Sequence, residues 1–117
     1  MNTKMNPQIK SLWVAALRSG EYVQGIGQLR TDDNKFCCFG VLCNLHAQAH
    51  PKIASTQSDQ KYYMGNEAMP VFDVKKWAGL PVTHERVRIN ERYFTLSIHN
   101  DKGATFLQIA DAIEAQM

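Results

Sequence analysis

The stretch NPQIKSLWVAALRSG, residues 6–20, has the sequence features of an amphipathic helix. It shows that the fold contains helices that need a core to pack on. Asn6 is a favourable N-cap, and Pro7 suits the first helical position, where a missing N–H costs nothing. Gly20 suits the left-handed residue that commonly ends a helix. Apolar residues recur at helical spacing and predict one buried face: Ile9, Leu12, Trp13, Ala16 and Leu17. We therefore expect a helix near residues 7–19.

Three further helices are predicted, near residues 39–49, 71–78 and 105–115. The last has a T-x-x-Q capping box formed by Thr105 and Gln108, followed by an apolar face. Pro51 stops the helix that starts in the cysteine-rich segment, and Gly79 closes the short one. These elements, like the first helix, need a shared core to bury their apolar faces.

Strands are predicted where short extended runs flank turn residues. The turn chemistry of TDDNK favours a small hairpin with strands near 26–30 and 35–38. Residues 61–64 are a further strand candidate, and the polar stretch 51–60 is predicted to be a loop. The alternation in RVRI, residues 86–89, is typical of a half-buried strand, whereas residues 94–100 are compatible with strand or helix. The predicted fold class is α+β, with about four helices on a small antiparallel sheet.

Composition limits the class of protein. A chain of 117 residues with 44% hydrophobic and 21% charged residues is expected to form a single domain, 1–117, around one core. No apolar run is long enough to span a bilayer, so we expect no membrane partner and a cytoplasmic location. A net charge of +2 is too small to indicate a general nucleic-acid binder. The sequence leaves a homo-oligomer open.

All three cysteines lie in FCCFGVLCNLH, residues 36–46. An odd count with an adjacent pair is a poor disulfide framework, so reduced thiols are expected. The spacing lacks the C-x2-C knuckle of zinc sites, and we predict neither a metal nor a cofactor. The simplest interpretation is that Cys37, Cys38 and Cys43 are small buried hydrophobic residues, since free cysteine is among the most buried residue types.

The alternative is a catalytic thiol. Cys37 or Cys38 would lie at the start of the second helix, where the helix dipole favours a thiolate. His99 is one candidate base for such a cysteine-dependent hydrolase or transferase. The competing interpretation of His99, Asn100 and Asp101 is a polar turn before the last helix.

A ligand site is predicted in the loop after the first helix, where two glycines permit close approach of the backbone. Arginines offer paired donors to phosphate, and an exposed tyrosine can stack on a base. The candidate ligand-binding residues are Arg18, Tyr22, Gln24, Arg30, Asn100 and Asp101. The rival interpretation is that Arg18 complements the C-terminus of its helix and Tyr22 packs in the core.

Three stretches together carry a resemblance: WVAALRSGEYVQGIGQLR, FCCFGVLCNL and NDKGATFLQIADAIE. They resemble a family of small, mostly uncharacterised proteins of tailed phages and prophages, with the pieces W-x-x-A-L-R-S-G, C-C-x-G-V-L-C and N-D-x-G followed by F-x-x-I-A. The match covers most of the chain outside residues 46–62 and 81–95. The chain departs from the pattern at Phe39, Asn44 and His99, and the last departure weakens a catalytic role for His99.

The resemblance implies a phage origin and an accessory role in the cytoplasm of the infected host. Small phage proteins commonly act by binding, so the expected function is counter-defence or host takeover. The expected partner is a host protein that is blocked or a small nucleotide-like signal that is sequestered. This expectation rests on analogy and not on a recognised site.

Overall fold

In the computed structural model, which describes residues 5–27, 30–49, 74–80 and 86–117, these ranges contain five helices and four short strands. The helices are α1 (Pro7–Ser19), α2 (Cys38–Ala49), α3 (74–78), α4 (Leu96–Asp101) and α5 (Phe106–Gln116). The strands are β1 (Val23–Gln24), β2 (Lys35–Phe36), β3 (Arg86–Ile89) and β4 (Arg92–Thr95). The α+β prediction is confirmed. The predicted loop 51–60, the strand candidate 61–64 and residues 71–73 of the predicted short helix lie outside the described residues.

Helix α1 has the predicted bounds and caps. The Asn6 side chain accepts hydrogen bonds from the backbone N–H groups of Gln8 and Ile9, at 2.9 and 3.2 Å, and Gly20 is left-handed with φ 80°. The predicted apolar face is wrong at one position, because Leu12 is 54% exposed and Val14 is buried instead. The helix packs against α5 and α2, so its buried stripe turns toward both.

The buried apolar residues of the described ranges form one continuous cluster. Every helix contributes to it, and β2 and β3 contribute Phe36 and Val87. At its centre Trp13 is fully buried, donates a 3.0 Å hydrogen bond from Nε1 to the carbonyl oxygen of Cys38, and lies 5.7 Å from the Phe39 ring. None of the helices in the described ranges is long and apolar enough to cross a membrane.

Residues 28 and 29 of the predicted hairpin, with strands near 26–30 and 35–38, lie outside the described residues. In the described part, β2 is shorter than predicted and pairs in parallel with β1, which precedes the predicted first strand, and an antiparallel bridge joins Arg30 to Phe36. The backbone N–H of Gly25 donates to the Phe36 carbonyl at 2.7 Å, and a Cβ on Gly25 would lie 2.8 Å from the Lys35 Cβ. This glycine therefore permits the close approach that sets the pairing, and β2 ends early because α2 begins at Cys38.

The antiparallel part of the fold is the β3–β4 hairpin, where Val87 pairs with Phe94 and Ile89 with Arg92. Its two-residue turn has positive φ at both Asn90 (53°) and Glu91 (69°), the geometry that matches the twist of a hairpin. Strand β4 ends at Thr95, which caps α4. Residues 94–100 are thus strand first and helix afterwards. The predicted polar turn at residues 99–101 is wrong, because α4 contains all three residues.

Candidate ligand-binding pocket

Asn100 is the hub of a buried polar junction. Its side chain is fully buried. Oδ1 accepts hydrogen bonds from the backbone N–H of Cys38, at 3.2 Å, and from Nε2 of Gln24, at 2.9 Å. Nδ2 donates to the carbonyl oxygen of Gly25 at 2.9 Å. One amide therefore joins the start of α2, the β1 loop and α4.

Gln24 and Asp101 extend this junction. Gln24 also donates from Nε2 to the Ala104 carbonyl, at 2.7 Å, and accepts from the backbone N–H of Phe106 at Oε1, at 3.1 Å. Asp101 accepts from the backbone N–H of Gly27 at 3.1 Å. The structure thus brings together three of the predicted ligand-binding residues, Gln24, Asn100 and Asp101. Their polar atoms are directed at backbone groups of the protein, where they fix the turn between α4 and α5.

Arg18 lies in the last turn of α1. Its Nη2 contacts Oδ1 of Asp111 at 2.7 Å and Oε1 of Glu114 at 2.9 Å, so it joins α1 to α5. The hydrogen bonds that Arg18 donates to Glu114 and Asp111 raise the pKa of the guanidinium, and the same contact lowers the pKa of Glu114. All three groups are solvent-exposed or nearly so, and water therefore screens these ion pairs.

Tyr22 and Arg30 meet at Phe36. The Tyr22 ring is edge-on to Phe36 with the centroids 5.1 Å apart, and its hydroxyl accepts a hydrogen bond from Nδ2 of Asn44. The Arg30 guanidinium lies 5.7 Å from the Phe36 centroid and donates to Oδ1 of Asn34. Tyr22 is half-buried against the core cluster, which is the packing role that the rival interpretation gave it.

The three cysteines are free and buried, as the sequence predicts. Cys37 precedes α2, and its Sγ accepts from the backbone N–H of Gly40 at 3.4 Å. Cys38 directs its Sγ to the carbonyl oxygen of Leu96 at 3.7 Å. Within the part of the chain that the structure describes, no three histidine, cysteine or carboxylate side chains are placed to hold a metal ion.

Burial outweighs the helix N-terminus in setting the ionisation of these thiols. Desolvation raises the pKa of Cys37, against the opposing effect of hydrogen bonds from the backbone N–H groups of Gly40 and Phe39. It raises the pKa of Cys38 well above the ordinary value. It raises the pKa of Cys43 to about 12. The predicted position of Cys37 and Cys38 at the start of a helix is correct, but their environment favours the neutral thiol.

These thiols make stability fall at alkaline pH. Because the pKa of Cys43 rises from 9.0 to about 12 on folding, the unfolded chain loses this proton first, and the free energy of unfolding decreases between those values. We expect a loss of up to about 1.4 kcal/mol per pH unit from this thiol. Urea unfolding at several pH values, in the parent and in Cys43→Ala, measures it. Equal pH dependence in the two proteins would contradict this expectation.

His99 is buried and bonded to the hairpin. Its Nε2 lies 2.7 Å from the carbonyl oxygen of Val87 and 3.3 Å from the backbone nitrogen of Phe94, so both polar contacts are with the β3–β4 hairpin. The ring also packs 5.3 Å from that of Phe94. The polar contacts of the Cys37 and Cys38 sulfurs are to backbone groups, so the geometry gives no cysteine–histidine pair at this position.

A pocket of about 330 Å³ lies between the tip of the β3–β4 hairpin and the turn that joins α4 to α5. We call it the hairpin pocket. It is lined by Ile89, Asn90, Arg92, Phe94, His99, Lys102, Gly103, Ala104 and Gln108. Two of these residues, Arg92 and Lys102, are cations with exposed side chains, and none carries a carboxylate. The lining is therefore positively charged.

One side of the pocket, which we call the α4–α5 wall, is formed by the end of α4, the turn after it and the start of α5. It offers a ligand hydrogen-bond donors more than acceptors. The carbonyl oxygens of Ile98 and His99 accept from the backbone N–H groups of Lys102 and Ala104, at 2.9 Å each. Oε1 of Gln108 accepts from the Thr105 N–H in the capping box, so its NH₂ group is the part of the amide that can donate to a ligand. The wall offers an ammonium and an amide donor to an anion.

The family model for a domain of unknown function, DUF8296, matches residues 5–117. The chain belongs to this family. No curated protein and no solved structure matches the chain. The matched residues include those of the Asn100 junction and of the hairpin pocket. The description of the family assigns no activity to either.

The sequence did not predict the hairpin pocket, although three of the predicted ligand-binding residues, Gln24, Asn100 and Asp101, lie in the neighbouring junction. Gln108 was predicted only as a capping residue. The available signal was the alternation in RVRI followed by Asn90, a residue type that tolerates positive φ and so indicates a tight hairpin turn. That turn places Arg92 beside the α4–α5 turn.

Proposed function

We propose that this protein binds a small phosphate-bearing ligand in the hairpin pocket. The observation that carries the proposal is the placement of Arg92 and Lys102 in the lining of one concavity of about 330 Å³, where none of the described lining residues carries a carboxylate. An arginine presents two parallel donors to a phosphate, and a lysine contributes a mobile point charge.

The apolar part of the lining supports a ligand larger than phosphate alone. Phe94 and Ile89 are half-buried and present hydrocarbon surface beside the two cations. Ligand sites typically combine an apolar lining with a few placed polar groups that fix orientation. A phosphate attached to an apolar or aromatic group satisfies both halves of this lining, which favours a nucleotide-type ligand.

Binding is better supported than thiol catalysis. A thiol enzyme needs a cysteine that ionises near neutral pH, and burial raises the pKa of all three cysteines here. Together with the resemblance to small phage proteins, this leads us to propose sequestration of a nucleotide-type signal in the host cytoplasm. Blocking of a host protein remains a prediction of the resemblance, without a described surface that favours it.

The test is titration calorimetry with inorganic pyrophosphate and with ATP. We expect Arg92→Ala and Lys102→Ala each to weaken binding by about tenfold, equivalent to about 1.4 kcal/mol. Arg86→Ala is the matched control, because Arg86 is an exposed cation of the same hairpin that does not line the pocket. Affinity should also fall as salt is added, since both cations are exposed.

Two outcomes contradict the proposal. One is that neither compound binds the parent protein at millimolar concentration. The other is that Arg86→Ala weakens binding as much as Lys102→Ala, since the site would then depend on net charge and not on the pocket.

A further inference from the structure

A second concavity, of about 240 Å³, adjoins the hairpin pocket along α5. We call it the α5 concavity. It is lined by Arg88, Ile89, Asn90, Gln108, Asp111, Ala112 and Gln116. Ile89, Asn90 and Gln108 line both spaces, so the two meet at the tip of the hairpin. They form one groove that runs from the α4–α5 turn to the last turns of α5.

We propose that this groove binds a nucleoside phosphate along its length, with the phosphate between Arg92 and Lys102 and the nucleoside in the α5 concavity. The inference rests on the proposed function and names the ligand class. Small-molecule sites usually measure about 300–1,000 Å³. The α5 concavity lies below that range and the hairpin pocket at its lower limit. The two together reach the size of an ordinary nucleotide site.

Among the described lining residues, the α4–α5 end of the groove carries the cations Arg92 and Lys102, whereas the α5 end carries a carboxylate, Asp111, together with the cation Arg88. Asp111 lies at the α5 end, and its Oδ1 is held by Arg18 at 2.7 Å. This contact orients the carboxylate and leaves Oδ2 to accept hydrogen bonds from hydroxyl or amino groups. Such donors are present on a sugar or a base and absent from an ionised phosphate, which an aspartate would repel. The carboxylate thus favours the nucleoside end of the ligand.

The Arg88 guanidinium and the Gln116 amide at the α5 end both contact other groups of the protein. The Arg88 guanidinium lies 5.3 Å from the centroid of the Tyr93 ring. The Arg88 backbone N–H donates to Oε1 of Gln116, and Nε2 of Gln116 donates to the Arg88 carbonyl, both at 2.8 Å. This pair of bonds closes the exposed edge of β3. Ile89, which is half-buried, is left as the apolar surface on which a base can pack.

The experiment compares inorganic phosphate with AMP, GMP, CMP and UMP by titration calorimetry. It uses the parent protein, Lys102→Ala, Asp111→Ala and Glu114→Ala. Glu114→Ala is the matched control, because Glu114 shares the Arg18 contact with Asp111, occupies the same exposed face of α5 and does not line the groove.

We expect at least one nucleoside monophosphate to bind about tenfold tighter than inorganic phosphate, a gain of about 1.4 kcal/mol. Asp111→Ala should remove that gain and leave phosphate binding unchanged, whereas Lys102→Ala should weaken both. Glu114→Ala should bind like the parent.

The proposed nucleotide site is contradicted if every nucleotide binds no tighter than phosphate. It is also contradicted if Asp111→Ala and Glu114→Ala bind the nucleotides with equal affinity. In those cases Lys102-dependent phosphate binding would still support the hairpin pocket. Absence of binding by all five probes would overturn both proposals.

Discussion

Replacement of Asn100 by alanine is expected to lower the free energy of unfolding by about 3–5 kcal/mol, because it leaves several buried polar groups without partners at about 1–3 kcal/mol each. The groups affected are the backbone N–H of Cys38, the carbonyl of Gly25 and the amide of Gln24. A small domain is stable by only about 5–15 kcal/mol. The variant should therefore unfold at much lower urea concentration than the parent.

Asn44→Ala is the control for this prediction. Asn44 is also an asparagine in a helix, but it is half-buried and its side chain donates one hydrogen bond, to the Tyr22 hydroxyl. Its removal should cost about 1 kcal/mol, the net contribution of one such bond. Chemical denaturation of both variants measures the difference. Equal destabilisation by the two substitutions would show that the junction has no special role.

The junction also connects stability to ligand binding. Asn100 and Gln24 hold the β1 loop and the α4–α5 turn together, and that turn supplies Lys102 to the wall of the hairpin pocket. None of the six predicted ligand-binding residues is among the described residues that line the hairpin pocket, but Gln24 and Asn100 support the turn that forms one of its walls.

The helices could be predicted because their signals are local. The caps of α1 and α5 lie within four residues of the groups they bond, so Asn6 and the Thr105–Gln108 box can be recognised without tertiary structure. The length of β2 and its parallel pairing with β1 depend instead on Gly25 contacting Phe36 and on the start of α2. No local pattern contains that information.

The contacts inside the candidate site could not be predicted for the same reason, because they join residues that are distant in the sequence. Asn100 follows a histidine and precedes an aspartate, a polar run that favours a turn when considered alone. Its partners Gly25 and Cys38 are 75 and 62 residues away in the chain. Arg92 and Lys102 lie on a strand and at a helix end, and only the hairpin turn brings them to one pocket.

The cysteine block has a structural role through its backbone as well as its side chains. The Cys38 N–H donates to Asn100, and the Cys38 carbonyl accepts from Trp13, so the peptide groups on both sides of this residue hold α1 and α4 to the start of α2. This arrangement gives the sulfur-rich segment a structural role in the core. It also identifies Trp13 as the second residue on which the fold depends.

Trp13→Ala is expected to destabilise the protein by about 3–5 kcal/mol, the usual cost of removing a large buried aromatic side chain. Trp13 is fully buried, packs on Phe39 and bonds the Cys38 carbonyl, so the variant gains a cavity and loses that bond. Trp13→Phe keeps most of the ring and should cost about 1–2 kcal/mol, chiefly for the carbonyl left without its donor.

Leu12→Ala is the matched control for the tryptophan series, because Leu12 is the adjacent residue of α1 and its side chain is 54% exposed. Substitutions at such positions change stability by less than about 0.5 kcal/mol. Urea unfolding of the three variants should therefore rank them Trp13→Ala, Trp13→Phe and Leu12→Ala from the largest loss to the smallest. A loss at Leu12 as large as that for Trp13→Ala would mean that α1 buries the face predicted from the sequence, with Leu12 in the core.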